Sequence, residues 1–277
     1  MPGFSITLLL LPTEHEADSP AADYVLTLLD DKPDVPGWEW CPPTSPGPLS
    51  QQDAAPKADE ISGADLGGFS APDPRAFVDG IKSAAEALIK AEPEITRMDS
   101  IAGDGDCGLT LKAGAEGVLA KIESGDITGQ DIPRSIITIA QVAEEAMGGT
   151  SGALYSIFFS GLSQGLHANA SRDAQVTPQV WAKALKSALD KLYGYTRARP
   201  PSRTLVDPLE AFIQTYAASN QDYVKAVTAA AEAADHTKTL DAKAGRSAYV
   251  EGDRLKKEQI PDPGAWGVKV ILENLSA

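Results

Sequence analysis

Cysteine is scarce: the chain has only Cys41 and Cys107 in 277 residues. Two cysteines cannot build the disulfide framework of a small secreted scaffold, and their scarcity fits a reducing compartment. Basic side chains are in the minority, 24 Lys and Arg against 39 Asp and Glu, for a formal net charge of −15. Nucleic acid needs a basic surface, so this balance argues against it as a partner, and equally against docking on an anionic membrane. Long apolar runs are missing too. Phe4 to Leu11 is too short to span a bilayer and has no Lys or Arg before it, as a signal peptide would. The cytosol is the expected compartment. The remaining composition is ordinary for a globular chain: 43% hydrophobic residues and enough length to bury a sizeable core.

Gly3 to Leu11 predicts one buried strand, ended by Pro12, and Tyr24 to Leu29 a short helix or strand. From Asp31 to Asp73 the chain is rich in Pro, Gly, Ser and Asp without a sustained period, which is linker composition. A lone strand without a partner suggests that the first sixty or so residues, residues 1–30 ahead of the linker among them, belong with something other than the rest of the chain. From Pro74 the pattern is helical, with Asp73 as cap. There are eight apolar stripes: Phe77 to Ile89, Leu111 to Leu119, Ile136 to Met147, Leu154 to Leu166, Trp181 to Leu192, Leu205 to Tyr216, Val224 to Ala234, and Val268 to Leu275. Thr150-Ser151 is expected to cap the fourth helix, and Asn220 or Asp222 to stand near the start of the seventh. The expected fold is an all-α, eight-helix domain over residues 74–277, with a linker at 31–73.

Four stretches carry candidate chemistry. The first is Arg97 to Thr110, read as a loop that crowds Asp99, Asp104 and Asp106 among Gly103, Gly105 and Gly108. Carboxylates are hard ligands suited to Mg²⁺, and three of them facing one centre repel one another unless a cation intervenes. The competing reading is a polar Asp-Gly turn. The second is Gly148-Gly149-Thr150-Ser151-Gly152 at a helix start, where free N–H groups and the helix dipole favour anions; plain capping explains it about as well. The third is Arg197, Arg199 and Arg203, a positive patch in an acidic chain, suited to phosphate or simply solvated. The fourth is Pro261-Asp262-Pro263-Gly264-Ala265, a rigid turn before the last helix.

Met98-Asp99-Ser100-Ile101-Ala102-Gly103-Asp104-Gly105-Asp106-Cys107-Gly108 resembles the metal loop in the nucleotide-binding domain of dihydroxyacetone (glycerone) kinases. Gly148 to Tyr155, Arg203 to Asp207 and Pro261 to Ala265 resemble that domain's other signatures in the same order, so the likeness runs from about Pro74 to the C-terminus. It implies a barrel of eight antiparallel helices. It implies that Asp99, Asp104 and Asp106 ligate two Mg²⁺ ions bridging the phosphates of ATP, with Gly105 and Cys107 beside the nucleotide. Thr150 and Ser151 would contact phosphate, Arg203 and Thr204 would sit on a lid, and Asp262, Pro263 and Gly264 would line the pocket. The catalytic set would be the three aspartates and Arg203. Cys107 stands where phosphotransferase-dependent relatives carry His, which implies the fungal-type branch that uses exchangeable ATP. Pro201-Ser202 replaces the Gly-Asp that precedes Arg-Thr in some members, which should stiffen the lid.

The implied reaction is γ-phosphoryl transfer from ATP to dihydroxyacetone or glyceraldehyde, with a homodimer as a candidate assembly. In the family a histidine of a substrate domain holds the acceptor. None of His15, His167 and His236 lies in a segment that matches that site. The N-terminal stretch resembles only the end of the substrate domain, so the expectation is a nucleotide-binding half that is weak or inactive alone. Two alternatives stand beside it: a nucleotide-loaded regulatory module, and the cyclising cleavage of FAD at the same metal site.

Overall fold

The computed structural model describes residues 69–169, 175–244 and 257–275, together with Thr27 and Leu255. The strand expected at residues 3–11, the element at 24–29 and most of the linker lie outside the described residues.

Among the described residues the chain forms eight α-helices: α1 Pro74–Ala102, α2 Cys107–Glu123, α3 Ile132–Ala146, α4 Gly149–Asn169, α5 Pro178–Tyr193, α6 Val206–Ala218, α7 Tyr223–His236 and α8 Pro263–Asn274. Their starts follow local chemistry. Asp73, Asp131, Thr177, Asp222 and Asp262 each accept a backbone N–H of the turn they open, and Pro stands at the first or second position of α1, α3, α5 and α8. Each such cap contributes about 1 kcal/mol.

Each helix packs against its predecessor, and α8 closes the ring by packing against α1 as well as α7. The closure is antiparallel. An added Cβ on Gly80, near the start of α1, would lie 2.5 Å from the carbonyl oxygen of Leu275, just past the end of α8. Tyr223 Oη, at the start of α7, donates to the carbonyl of Leu272 at 2.6 Å. The stripes turn inward and enclose a cavity of about 450 Å³ lined by apolar side chains that include Phe77, Ile81, Phe158, Trp181 and Phe212. At the far end residues 69–71 are stitched to the barrel: Ile132 N–H donates to Phe69 O at 2.9 Å, Ala71 N–H to Gly129 O at 2.8 Å and Val176 N–H to Ser70 O at 3.0 Å. No helix among the described residues is long and apolar enough to cross a membrane.

Three local expectations need correction. Helix α1 continues through Pro93 to Ala102, so Asp99 lies in a helical turn and not in a loop. Proline removes one hydrogen bond, but Leu88, Ile95, Met98 and Ala102 continue the buried stripe at helical spacing and outweigh that loss. Thr150 and Ser151 do not cap α4; they lie inside its first turn, after Gly149 at φ 62°. Val224 is 74% exposed rather than on the apolar face of α7, because the alanines at 226, 230 and 234 form the buried stripe and let that helix approach its neighbours closely.

Candidate functional site

In a closed ring of antiparallel helices, every second connection falls at the same end. The links α1–α2, α3–α4, α5–α6 and α7–α8 therefore share one mouth, and they hold the four stretches singled out from sequence.

The α1–α2 link folds around one carboxylate. Asp99 is buried in the last turn of α1, and its Oδ2 accepts from the backbone N–H of Gly105 at 3.0 Å and of Cys107 at 2.9 Å. This folds the link back so that Asp99, Asp104 and Asp106 each offer a carboxylate oxygen within 4.8 Å of the others. Asp104 and Asp106 are exposed; only Asp99 is withdrawn from water. Gly105 has φ 84°, a conformation that costs other residues energy. Gly108 sits where α2 leaves α1, and a Cβ there would lie 2.3 Å from Thr96 Oγ1 and 2.5 Å from Glu92 O.

Cys107, first residue of α2, is held as a neutral thiol. Burial pushes it well above the usual range, and Asp99, Asp262, Asp106 and Asp104 add to the shift. A thiol so placed is a packing residue rather than a nucleophile. Asp262 is buried at the head of α8, where its Oδ2 caps Ala265 N–H at 2.9 Å and its own N–H donates to Thr237 Oγ1 at 2.8 Å. Burial raises its carboxyl to about 6, against the lowering effects of the Ala265 N–H and Arg203. Asp99 acts electrostatically on Asp262 and both act on Cys107, which puts the heads of α2 and α8 together. Tyr155 lies one turn after Ser151 on α4. It feels Cys107 and Asp262, and burial raises its hydroxyl far above the ordinary value. Its Oη is buried without a hydrogen-bond partner. Through Tyr155 the head of α4, with Thr150 and Ser151, joins the same mouth.

The arginine patch does not converge as expected. Arg197 is exposed. Arg199 lies over the Tyr193 ring, 3.6 Å from its centre, and donates to the carbonyls of Thr196, Ala198 and Tyr193. Arg203 is wholly buried, not on an open lid. Its Nη2 donates to Ile260 O at 2.7 Å and its Nη1 is 3.7 Å from Asp262 Oδ1, while Nε and Nη1 have no hydrogen-bond partner. The patch splits because only Arg203 precedes a helix start buried against α8. Thr204 is part-buried next to it; Pro263 is buried and Gly264 half-buried in the first turn of α8.

Asp207, the last residue of its signature, proves to be the hub of the α5–α6 link. Its carboxylate accepts from Ser202 N–H at 2.9 Å, Ser202 Oγ at 3.0 Å and Thr204 N–H at 2.8 Å. The spacing Thr204-x-x-Asp207 has the form of a capping-box signal and was present in the sequence. Half of the box forms: the Asp207 carboxylate takes the Thr204 N–H, while Thr204 Oγ1 takes the Val206 N–H at 3.2 Å. No comparable signal in the sequence singled out the Tyr155 hydroxyl.

Residues 101–277 match the DAK2 domain family. The dihydroxyacetone kinase of Pichia angusta is 38% identical over 288 residues, covering 99% of this chain and 45% of that protein. The human triokinase/FMN cyclase is 31% identical over 281 residues, covering 98% and 45%. The crystal structure of the C. freundii dihydroxyacetone kinase in complex with AMP-PNP and Mg²⁺ superposes with TM-score 0.61 at 21% identity, over 86% of this chain and 39% of that one, and so shares the helical fold. The chain spans about half the length of the curated relatives it matches. By its sequence match and its ring of helices, the chain belongs to the dihydroxyacetone kinase family, of which it carries the DAK2 domain.

Proposed function

We propose that this chain binds Mg·ATP at the barrel mouth and serves γ-phosphoryl transfer to dihydroxyacetone or glyceraldehyde. The carrying observation is the approach of three carboxylates to within 4.8 Å, one of them buried and oriented by two backbone N–H groups. The donor set fits Mg²⁺: all ligands are hard oxygens, and a cation relieves the mutual repulsion of the carboxylates. Asp99, Asp104 and Asp106 would hold two such ions, whose chemistry is to neutralise phosphate charge during transfer.

The chain's own residues complete the site. Thr150 and Ser151 offer hydroxyls and first-turn N–H groups to phosphate oxygens. Arg203 offers Nε and Nη1, neither of which has a hydrogen-bond partner, although Nη1 faces Asp262 Oδ1 at 3.7 Å. Asp262, Pro263 and Gly264 form the wall at the head of α8, next to Thr204. We assign this chain the nucleotide half of the reaction, with the acceptor held by a separate substrate domain. Residues 1–277 alone are expected to bind Mg·ATP and to turn over dihydroxyacetone poorly. Calorimetry with Mg·ATP and a coupled ADP-release assay test both parts. No binding refutes the nucleotide reading, and full dihydroxyacetone-dependent turnover refutes the division of labour.

A second reading, cyclising cleavage of FAD at the same carboxylates, draws on the double name of the human relative. Incubation with FAD and Mn²⁺, without acceptor, tests it by release of a cyclic flavin phosphate.

A further inference from the structure

Arg203 is held in a demanding position. Its backbone is at φ 59°, a left-handed conformation unfavourable for a side chain of this size. Its guanidinium is wholly buried, yet Nε and Nη1 find no hydrogen-bond partner. Burying a cation with donors unused is costly. Ile260 O at 2.7 Å and Asp262 Oδ1 at 3.7 Å hold the tip of the guanidinium, but relaxation of the left-handed backbone beneath it would relieve part of this cost.

The residues on either side prevent this. Asp207 is 5% exposed, and its carboxylate grips both of them. Oδ1 accepts from Ser202 N–H at 2.9 Å, and Oδ2 from Ser202 Oγ at 3.0 Å, Thr204 N–H at 2.8 Å and Thr204 Oγ1 at 3.3 Å. Hydrogen bonds to an ionised acceptor are stronger than neutral ones, and four on one carboxylate fix the backbone before and after Arg203. All four come from Ser202 and Thr204 and none from Arg203, so Asp207 acts on the backbone that aims the guanidinium.

We propose that Asp207 is the positioning residue for Arg203: it locks Ser202-Arg203-Thr204 so that the unspent guanidinium donors stay in place for a nucleotide phosphate at the barrel mouth. This rests on the reading of Arg203 as a phosphate ligand. The competing role for Asp207 is a plain cap of α6, which would affect stability but not nucleotide affinity.

Electrostatics separates the two roles. Removing a negative charge from an acidic site should tighten binding of a polyanion, so a loss of affinity in Asp207→Asn reports lost positioning. Calorimetric titration of Mg·ATP into the full chain is compared for wild type, Asp207→Asn, Arg203→Met and the double variant. Each single variant is expected to weaken binding about tenfold or more, and the double variant no more than the weaker-binding single one. An unchanged affinity in Asp207→Asn, or effects that simply multiply, overturns the proposal. So does weakening in Asp207→Asn with none in Arg203→Met. If Asp207→Asn lacks a cooperative helical melt, Ser202→Ala/Thr204→Val removes two of the four donors and takes its place. Its affinity must fall, without multiplying the Arg203→Met effect, or the proposal fails. A wild-type chain that does not bind Mg·ATP refutes the nucleotide reading instead.

Discussion

Asp99 and Cys107 are eight residues apart in sequence but joined by one hydrogen bond: the Cys107 N–H donates to Asp99 Oδ2 at 2.9 Å. That bond runs from the last turn of α1 to the first residue of α2. It makes Asp99 both a candidate metal ligand and the clasp that brings Asp104 and Asp106 to it. Asp104 and Asp106 stay exposed, so stability and metal binding are separable across the cluster.

Asp104→Ala should abolish Mg²⁺-dependent nucleotide binding while leaving the helices intact. The residue is exposed, so its removal costs little packing and relieves repulsion from its neighbours. Thermal melts followed at the helix band should show no loss of stability without ligand. The stabilisation that wild type gains from Mg·ATP should disappear. A retained ligand-induced shift would count against the metal assignment.

Gly108→Ala should damage the site from behind. The new methyl would lie 2.3 Å from Thr96 Oγ1 and 2.5 Å from Glu92 O, so α2 must move away from α1 and carry Cys107 N–H off Asp99. A cost of about 1–3 kcal/mol is expected in urea unfolding, together with weaker Mg²⁺ binding. Wild-type values for both would mean that the helices yield without disturbing the clasp.

Asp262→Asn should change the pH dependence of stability in the metal-free chain. Burial raises the carboxyl from 3.8 to about 6 in the folded state. The native state therefore holds a proton that the unfolded chain has released, and wild type loses stability as pH rises from about 4 to about 6. Asparagine carries no such charge. The stability of Asp262→Asn relative to wild type should climb across that window by up to about 3 kcal/mol. Urea unfolding at pH 4 and pH 7 measures it, and a difference that stays constant would refute the account.

Thr150→Ala/Ser151→Ala should weaken ATP binding by about 10- to 100-fold, the scale of lost hydrogen bonds to a charged group, without changing Mg²⁺ affinity. The two hydroxyls sit in the first turn of α4, away from the carboxylates in sequence but at the same mouth. Equal loss of metal and nucleotide binding would show that this turn shapes the acidic cluster instead.

What the sequence determined by itself was local. Asp73 with Pro74, Asp131 with Pro133, Thr177 with Pro178 and Asp262 with Pro263 announce helix starts, and eight apolar stripes at helical spacing give the count. Three aspartates among glycines mark the stretch whose carboxylates the fold brings within 4.8 Å of one another. These features are legible because capping, periodicity and turn-forming glycines act within a few residues. The tertiary structure alone decided the rest. It carried α1 through Pro93 to Asp99, turned Val224 outward, buried Arg203 while leaving Arg197 exposed, and left Tyr155 Oη unpartnered beside Cys107 and Asp262. It also brought four distant links to one mouth, because closing an antiparallel ring puts every second connection at the same end. No window of sequence contains that parity; it comes from which faces pack together, summed around the whole barrel.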